Sequence, residues 1–458
     1  MRRIEYLIYF FLFIIPWQTR FILRHGIING GNWEYGIIGI YGTEILLWII
    51  VLLLATRSGG KLSFGYARRS ICCLISILFI FLVFSILSSV DRFIAVQQFI
   101  HILEAILIFL LLTKLPIDRF KAAYAFLAGL AVQAILGIYQ FLTQSSFVSK
   151  WLGLTLHDAT AGGASVLENV GGRWLRAYAG LPHPNIFGGY MAVGILLVAV
   201  VLSSNFVEKK ARVFLLITNC FLLTGLFFSF SRSAWIGLII SLVFFWFFNR
   251  RRFIGGENFK LFILSSAVLL VILSLLYAPL LQNRLAGQGR LEVRAIEERI
   301  GGYGEALELL KKTPLLGVGL GNYTLAIHNE IESTRSAWFY QPVHNVFLLI
   351  FTELGVAGVL VILLFGYFIR RIFNCNLLPI FILFLLLALF DHYLWSLYSG
   401  LLLVGVGSGL SDYFFSRNEL STTEIEEKAM AADASIGFNN MPNIGYSAPA
   451  ATGIKATL

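Results

Sequence analysis

Continuous apolar runs of about 20 residues, each closed by charged or turn-forming residues, recur along most of this chain. A helix of that length crosses the hydrocarbon core, and a helix satisfies its backbone N–H and C=O groups within the segment. The alternating pattern of a transmembrane β-barrel is absent. Composition agrees, since 58% of the 458 residues are hydrophobic and 13% charged, too little charge to cover a soluble surface. The expected fold is all-α, a polytopic membrane protein with about 12 transmembrane helices embedded in the lipid bilayer.

Hydropathy places the spans at roughly 4–22, 37–55, 71–89, 93–112, 120–142, 184–204, 211–229, 231–249, 261–278, 344–369, 377–391 and 396–414. The last two are short and suit a tight hairpin. The first follows Met1-Arg2-Arg3 like a secretory signal, but it runs into Pro16-Trp17-Gln18 with no small-residue cleavage site. It reads as an uncleaved signal-anchor. Cys72, Cys73, Cys220 and Cys375 fall in spans or a cytoplasmic loop, so no external disulfide framework is expected.

Basic residues orient the spans. Arg57/Lys61/Arg68/Arg69, Lys114/Arg119/Lys121, Lys209/Lys210/Arg212, Arg250/Arg251/Arg252/Lys260 and Arg370/Arg371 occupy alternate loops, with Arg2/Arg3 and Arg417 on the same side. By the positive-inside rule that side is cytoplasmic. The net charge of +10 is then mostly a topology signal, and no nucleic acid partner is implied. The outer side holds two long loops, about 143–183 and 279–343, of a length that is uncommon without a task. Within the second, Arg290 to Lys312 is amphipathic and is expected to lie as a helix at the membrane surface. Residues 1–416 thus form the transmembrane domain, and the polar stretch 417–458 reads as a disordered cytoplasmic tail.

Arginines on the outer side run against the topology bias. Arg232, in Ser229-Phe230-Ser231-Arg232-Ser233, has no acidic residue within a helical turn. It reads either as a snorkelling interface arginine or as an anion receptor at a helix start. Arg299 lacks a salt-bridge partner at helical spacing, and so does Arg290, whereas Arg294 has Glu297 and Glu298. Arg176 is a further outer cation, upstream of Pro182-His183-Pro184-Asn185 with Gly188 and Gly189, a pattern that proline in a first turn and small packing residues explain. His344, in Pro342-Val343-His344-Asn345, opens a span where an imidazole can be structural or act as a base. Glu353 lies about 13 Å deeper on the same helix. The glycine-rich run Leu315 to Asn322 follows no strand and reads as a tight re-entry turn.

Inside the spans, Glu44, Gln97, Gln98, His101 and Glu104 are costly polar groups. His101 and Glu104 are three apart, and their pairing reads as helix glue rather than a proton path. Asp391-His392 ends a span at the rim of any outer site. No DxD pair and no His/Cys cluster has metal-ligand spacing, so no metal or other cofactor is expected, and no Walker-type loop is present.

Taken in order, these pieces resemble the O-antigen ligase / O-antigen polymerase superfamily of bacterial membrane proteins. The carrying residues are Pro184-Asn185, Ser231-Arg232-Ser233, Arg299 ahead of Ala306-Leu307, Thr313 to Asn322, then His344-Asn345 with Glu353-Leu354-Gly355. Together they cover roughly Arg176 to Gly358, and the His-Asn pair followed by Gly355 is closest to the ligase version. The resemblance implies a multi-pass protein of the bacterial inner membrane with its active site facing the periplasm. It implies a metal-independent glycosyltransferase that moves a glycan from a polyprenyl-diphosphate-linked donor to a lipid or glycan acceptor such as lipid A-core. Carried over by motif, Arg232 and Arg299 engage the diphosphate and His344 activates the acceptor hydroxyl, with Arg176, Arg290, Asn345 and Asn185 as further substrate-binding candidates. A polymerase of the same superfamily is the nearest alternative. A transporter or flippase is the alternative of another class, and it would place its working groups within the spans, at residues such as His101 and Glu104.

Overall fold

An apolar surrounding favours helices, because each satisfies its own backbone. The computed structural model describes residues 2–57, 79–80, 82–161, 163–169, 172–203, 207–253, 257–287, 290–372 and 378–411, and these are mostly helical. The chain runs through α1 (Arg2–Ile14), strands β1 (Arg20–Arg24), β2 (Ile27–Ile28), β3 (Gly31–Asn32) and β4 (Ile38–Tyr41), then α2 (Gly42–Arg57). Next come α3 (Arg92–Lys114), α4 (Arg119–Thr143), β5 (Val166–Asn169), β6 (Gly172–Leu175), α5 (Pro184–Leu202), α6 (Lys209–Ser229) and α7 (Arg232–Phe253). After α8 (Glu257–Leu276) follow α9 (Ala278–Ala286), α10 (Arg290–Lys312), α11 (Tyr323–Glu330), α12 (Val346–Leu354), α13 (Val356–Ile372), α14 (Leu378–Phe390), α15 (Tyr393–Ser396) and α16 (Tyr398–Ser411).

Among the described residues, α3, α4, α5, α6 and α8 are long and apolar enough to cross a membrane. The apolar part of α7, together with α14 and α16, is shorter. The sequence-derived first span, 4–22, is cut at Ile14, because Pro16 lacks an N–H and disfavours helix at the residue before it. Beyond it β1 pairs antiparallel with β4. The span expected at 344–369 is likewise two helices, α12 and α13, parted at Gly355. Of the span expected at 71–89, residues 71–78 and 81 lie outside the described residues and 82–88 are helical, while the tail 417–458 lies wholly outside them. The all-α expectation needs one correction: among the described residues, three two-stranded antiparallel sheets stand between the helices. Cys220 is a free thiol, and the other three cysteines lie outside the described residues.

Helix α5 is the axis of the core, with every residue from Pro184 to Leu202 buried. A helix apolar on all faces finds partners on all faces, and α5 packs against α4, α6, α7 and α14. Its Gly188 and Gly189 permit that closeness, since a Cβ on Gly189 would meet the Tyr393 hydroxyl at 2.1 Å. Helix α8 is the opposite case, exposing Leu264, Val268, Val271 and Leu275 as a lipid-facing stripe does.

The two long loops, expected on the outer side, carry structure of their own. The first holds the β5–β6 hairpin, and the second holds α9, α10 and α11. Helix α10 spans the amphipathic stretch read from the sequence, Arg290 to Lys312. The glycine-rich run straps the break between α12 and α13: Val318 N donates to Thr352 O (2.9 Å), Gly319 N to Glu353 O (2.9 Å), and Val356 N to Pro314 O (3.0 Å). Gly317 has φ +66°, and a Cβ there would lie 2.4 Å from the Glu353 carbonyl carbon, so only glycine fits.

Candidate active site

The corner between α6 and α7 organises one half of the site. Phe230 takes a left-handed conformation (φ 47°), which caps α6 and starts α7 at Arg232 within a residue of the turn. The carbonyls left free at the end of α6 carry the negative end of its dipole and attract cations. Arg176, buried, donates from Nε to Ser229 O at 2.7 Å, and Arg284 from Nε to Phe230 O at 2.9 Å. The neighbouring Ala177 N donates to Phe228 O (3.0 Å), which fixes the Arg176 backbone alongside.

Arg232 then meets an acidic partner that local spacing could not reveal. Its Nη2 lies 2.9 Å from Glu292 Oε2, and its Nη1 donates to Arg284 O at 3.3 Å. The other oxygen of Glu292 pairs with Arg284 Nη1, so one carboxylate bridges two guanidiniums. The reading of Arg232 as unpaired is corrected: α10 delivers Glu292 to it from a separate element. Arg299, half-buried and further along α10, has no hydrogen-bond or ion-pair partner among the described residues. Its charge is felt at Arg176, Arg284 and His392. Guanidiniums therefore outnumber carboxylates here, which is the electrostatic condition for binding an anion.

The other half centres on Asp391, in the turn after α14. Its Oδ2 accepts from Asn185 Nδ2 at 2.8 Å, its Oδ1 accepts from the His392 N–H at 2.8 Å, and His344 Nδ1 stands 3.6 Å from Oδ1. Asn185 in turn accepts from Arg176 Nη2 at 2.8 Å. Arg176, Asn185, Asp391 and His344 thus form one polar chain from the α6 corner to an imidazole. Burial opposes the charge on Asp391, yet His344, with the nearby His392 and His183, holds its carboxyl well below the ordinary range. Burial pushes both His183 and His392 down to about 3. A neutral His183 suits its place, because Nδ1 accepts from Asn185 N (3.1 Å) and caps α5. His392 is occupied through Nδ1 by Ser396 Oγ at 2.7 Å. His344 keeps 24% of its side chain exposed, so its ring can reach a ligand.

Two sequence candidates stand outside this network. Arg290, also read as unpaired, lies 2.9 Å from Glu168 Oε1 on β5, and its side chain is 77% exposed. Asn345 is the N-cap of α12, accepting from Leu348 N (3.0 Å) and donating to Leu389 O (3.3 Å). Arg294 pairs with Glu298 at 3.0 Å, as its spacing predicted. Arg284 and Glu292 were missed; Arg284 carried a usable signal as an outer-side arginine, while Glu292 sits in an ordinary amphipathic pattern. Metal-ligand spacing along the sequence reports only groups close in the chain. The fold draws His344, Asp391 and His392 together, and separately Glu44, His101 and Glu104, each set with ligand atoms within 4.8 Å of one another.

Residues 214–363 match the family model described as O-antigen ligase. The match takes in Arg232, Arg284, Glu292, Arg299 and His344, while Arg176, Asn185 and Asp391 lie outside it. No curated protein matches the chain in sequence.

Proposed function

From an O-antigen ligase-like domain over residues 214–363, we propose that this protein transfers a glycan from a polyprenyl diphosphate to an acceptor hydroxyl at the outer face of the bacterial inner membrane. About twelve spans, oriented with their basic loops inside, would carry the site to the periplasm. The observation that carries this reading is the gathering of Arg299, without a partner among the described residues, beside the Arg232–Glu292–Arg284 bridge.

In the proposed reaction His344 works through Nε2. Its Nδ1 stands 3.6 Å from Asp391, a carboxylate whose charge stabilises the imidazolium as it forms. Nε2 takes the proton from the acceptor hydroxyl as that oxygen bonds to the anomeric carbon. The bond from that carbon to the diphosphate oxygen breaks, and the diphosphate leaves with the electron pair. Arg299 and Arg232 stabilise the charge that develops on it, the role preorganised cations serve best. Asp391 is a positioning residue, held by Asn185 and through it by Arg176. The reaction so written calls on no metal.

Purified protein supplied with a lipid-diphosphate glycan and an acceptor tests this. His344→Ala, Arg299→Ala and Arg232→Ala should each abolish transfer while the protein remains membrane-inserted. Loss of a general base alone costs about 10²–10⁴-fold. Full activity in any one of them removes that residue from the mechanism. In cells lacking the protein, long polymer stranded on the carrier lipid marks a ligase acting on lipid A-core. Single lipid-linked repeats mark a polymerase, and intermediates facing the cytoplasm mark a flippase.

A further inference from the structure

A second set of ionisable groups meets inside the helical bundle, on α2 and α3. Glu44 lies in the first turn of α2, and His101 and Glu104 share a face of α3. All three are buried, Glu104 completely. The pairing expected between His101 and Glu104 gives way to a three-way arrangement in which His101 Nε2 stands 3.6 Å from Glu44 Oε1. One donor atom from each residue lies within 4.8 Å of the other two.

The hydrogen bonds leave a remainder. Glu44 Oε2 accepts from Tyr41 N at 2.7 Å, and Glu104 Oε1 accepts from Trp48 Nε1 at 2.5 Å. Glu104 Oε2 and His101 Nε2 are buried without a hydrogen-bond partner among the described residues. An unmet carboxylate oxygen inside a span is costly, and two carboxylates this close repel unless one takes up a proton or a positive charge joins them. Among the described residues no lysine or arginine pairs with either glutamate. The ring of His101 is held between the aromatic rings of Tyr41 and Tyr398, at centroid distances of 5.9 and 4.6 Å. A polar cavity lined by Arg20, Glu34, Gln97 and Gln98 reaches His101. It begins at residues of the outer hairpin, where Arg20 and Glu34 are partly exposed.

We propose that Glu44, His101 and Glu104 bind a divalent metal ion. Two carboxylates neutralise its charge, one imidazole completes a mixed nitrogen–oxygen set suited to zinc or manganese, and the cavity supplies the entry path. The ion ties α2 to α3 and takes no part in the transfer step, so this proposal stands or falls independently of that reaction.

The full-length protein, purified in detergent and stripped with a chelator, is loaded with Zn²⁺ or Mn²⁺ and its bound metal measured after gel filtration. A single ion per chain is expected, together with a rise in thermal unfolding temperature. Glu104→Gln, which preserves shape, should weaken binding by at least about tenfold. Asp391→Asn should leave it unchanged, which separates this site from the His344, Asp391 and His392 set. A wild-type chain that retains no metal overturns the proposal, and that measurement does not depend on any variant folding. So does wild-type affinity in Glu104→Gln, or loss of the ion in Asp391→Asn.

Discussion

The two halves of the candidate site are built on opposite plans. Around the α6–α7 corner, charge is left in surplus: Arg299 has no partner among the described residues, and Arg232 shares Glu292 with Arg284. Around Asp391 the charge is balanced, with Asn185 and the His392 N–H donating to one carboxylate and His344 Nδ1 3.6 Å from it. The first half is suited to receive an anion, and the second to hold an imidazole in place. Glu292 sharpens the contrast, because it sits where an anion bridging Arg232 and Arg284 would sit. Preorganisation by a buried network and vacancy for a ligand are separate requirements. Here they fall on different residues.

The comparison breaks first at Asp391. Asp391→Asn keeps the side chain's shape but removes the charge facing His344 Nδ1. Transfer should fall about 100-fold or more in kcat, with little change in KM for the donor. A purely structural role would instead lower the amount of folded protein and leave kcat intact. An unchanged pH–rate profile would also count against it.

A middle-sized effect belongs to His183, which caps α5 beside Asn185. Burial holds this imidazole neutral down to about 3 in the folded chain, against about 6.5 when unfolded. The unfolded chain binds the proton first, so stability is full above about 6.5 and falls as the pH is lowered towards 3. At pH 5 the loss amounts to about 2 kcal/mol. His183→Asn retains a capping side chain without the titration, and thermal unfolding between pH 7 and 5 should show a shallower decline. An equal decline in both proteins would mean that His183 already takes up its proton when folded.

The smallest effect is expected at Arg290. Its ion pair with Glu168 is exposed to solvent, and such pairs contribute less than about 1 kcal/mol. Arg290→Ala should leave transfer within about twofold of wild type and stability within that margin. A large loss of donor binding would enlarge the anion-binding half to include the start of α10.

The sequence made the first half legible and the second only in fragments. Arginine on the side read as extracytoplasmic runs against the positive-inside bias, so Arg232, Arg299 and Arg176 stood out without a fold. Their differences did not. Glu292 is 60 residues from Arg232 in the chain, and helical spacing can report only neighbours three or four residues away. For the same reason Arg290 looked unpaired until β5 brought Glu168 to it. Asn185 and Asp391 are 206 positions apart, so their hydrogen bond depends on α5 occupying the centre of the bundle. Hydropathy found α3 to α8 because each apolar run is continuous. It overextended the first span past Pro16 and carried another through Gly355, where the glycine strap from Gly317 to Gly321 needs the helix to break.

Binding of a short-chain polyprenyl diphosphate to the purified protein, measured for wild type and Arg299→Ala, tests the central claim most directly. Loss of a guanidinium that contacts the diphosphate should weaken binding by at least about tenfold, or about 1.4 kcal/mol. Equal affinity in the two proteins would contradict the assignment of Arg299 to the donor.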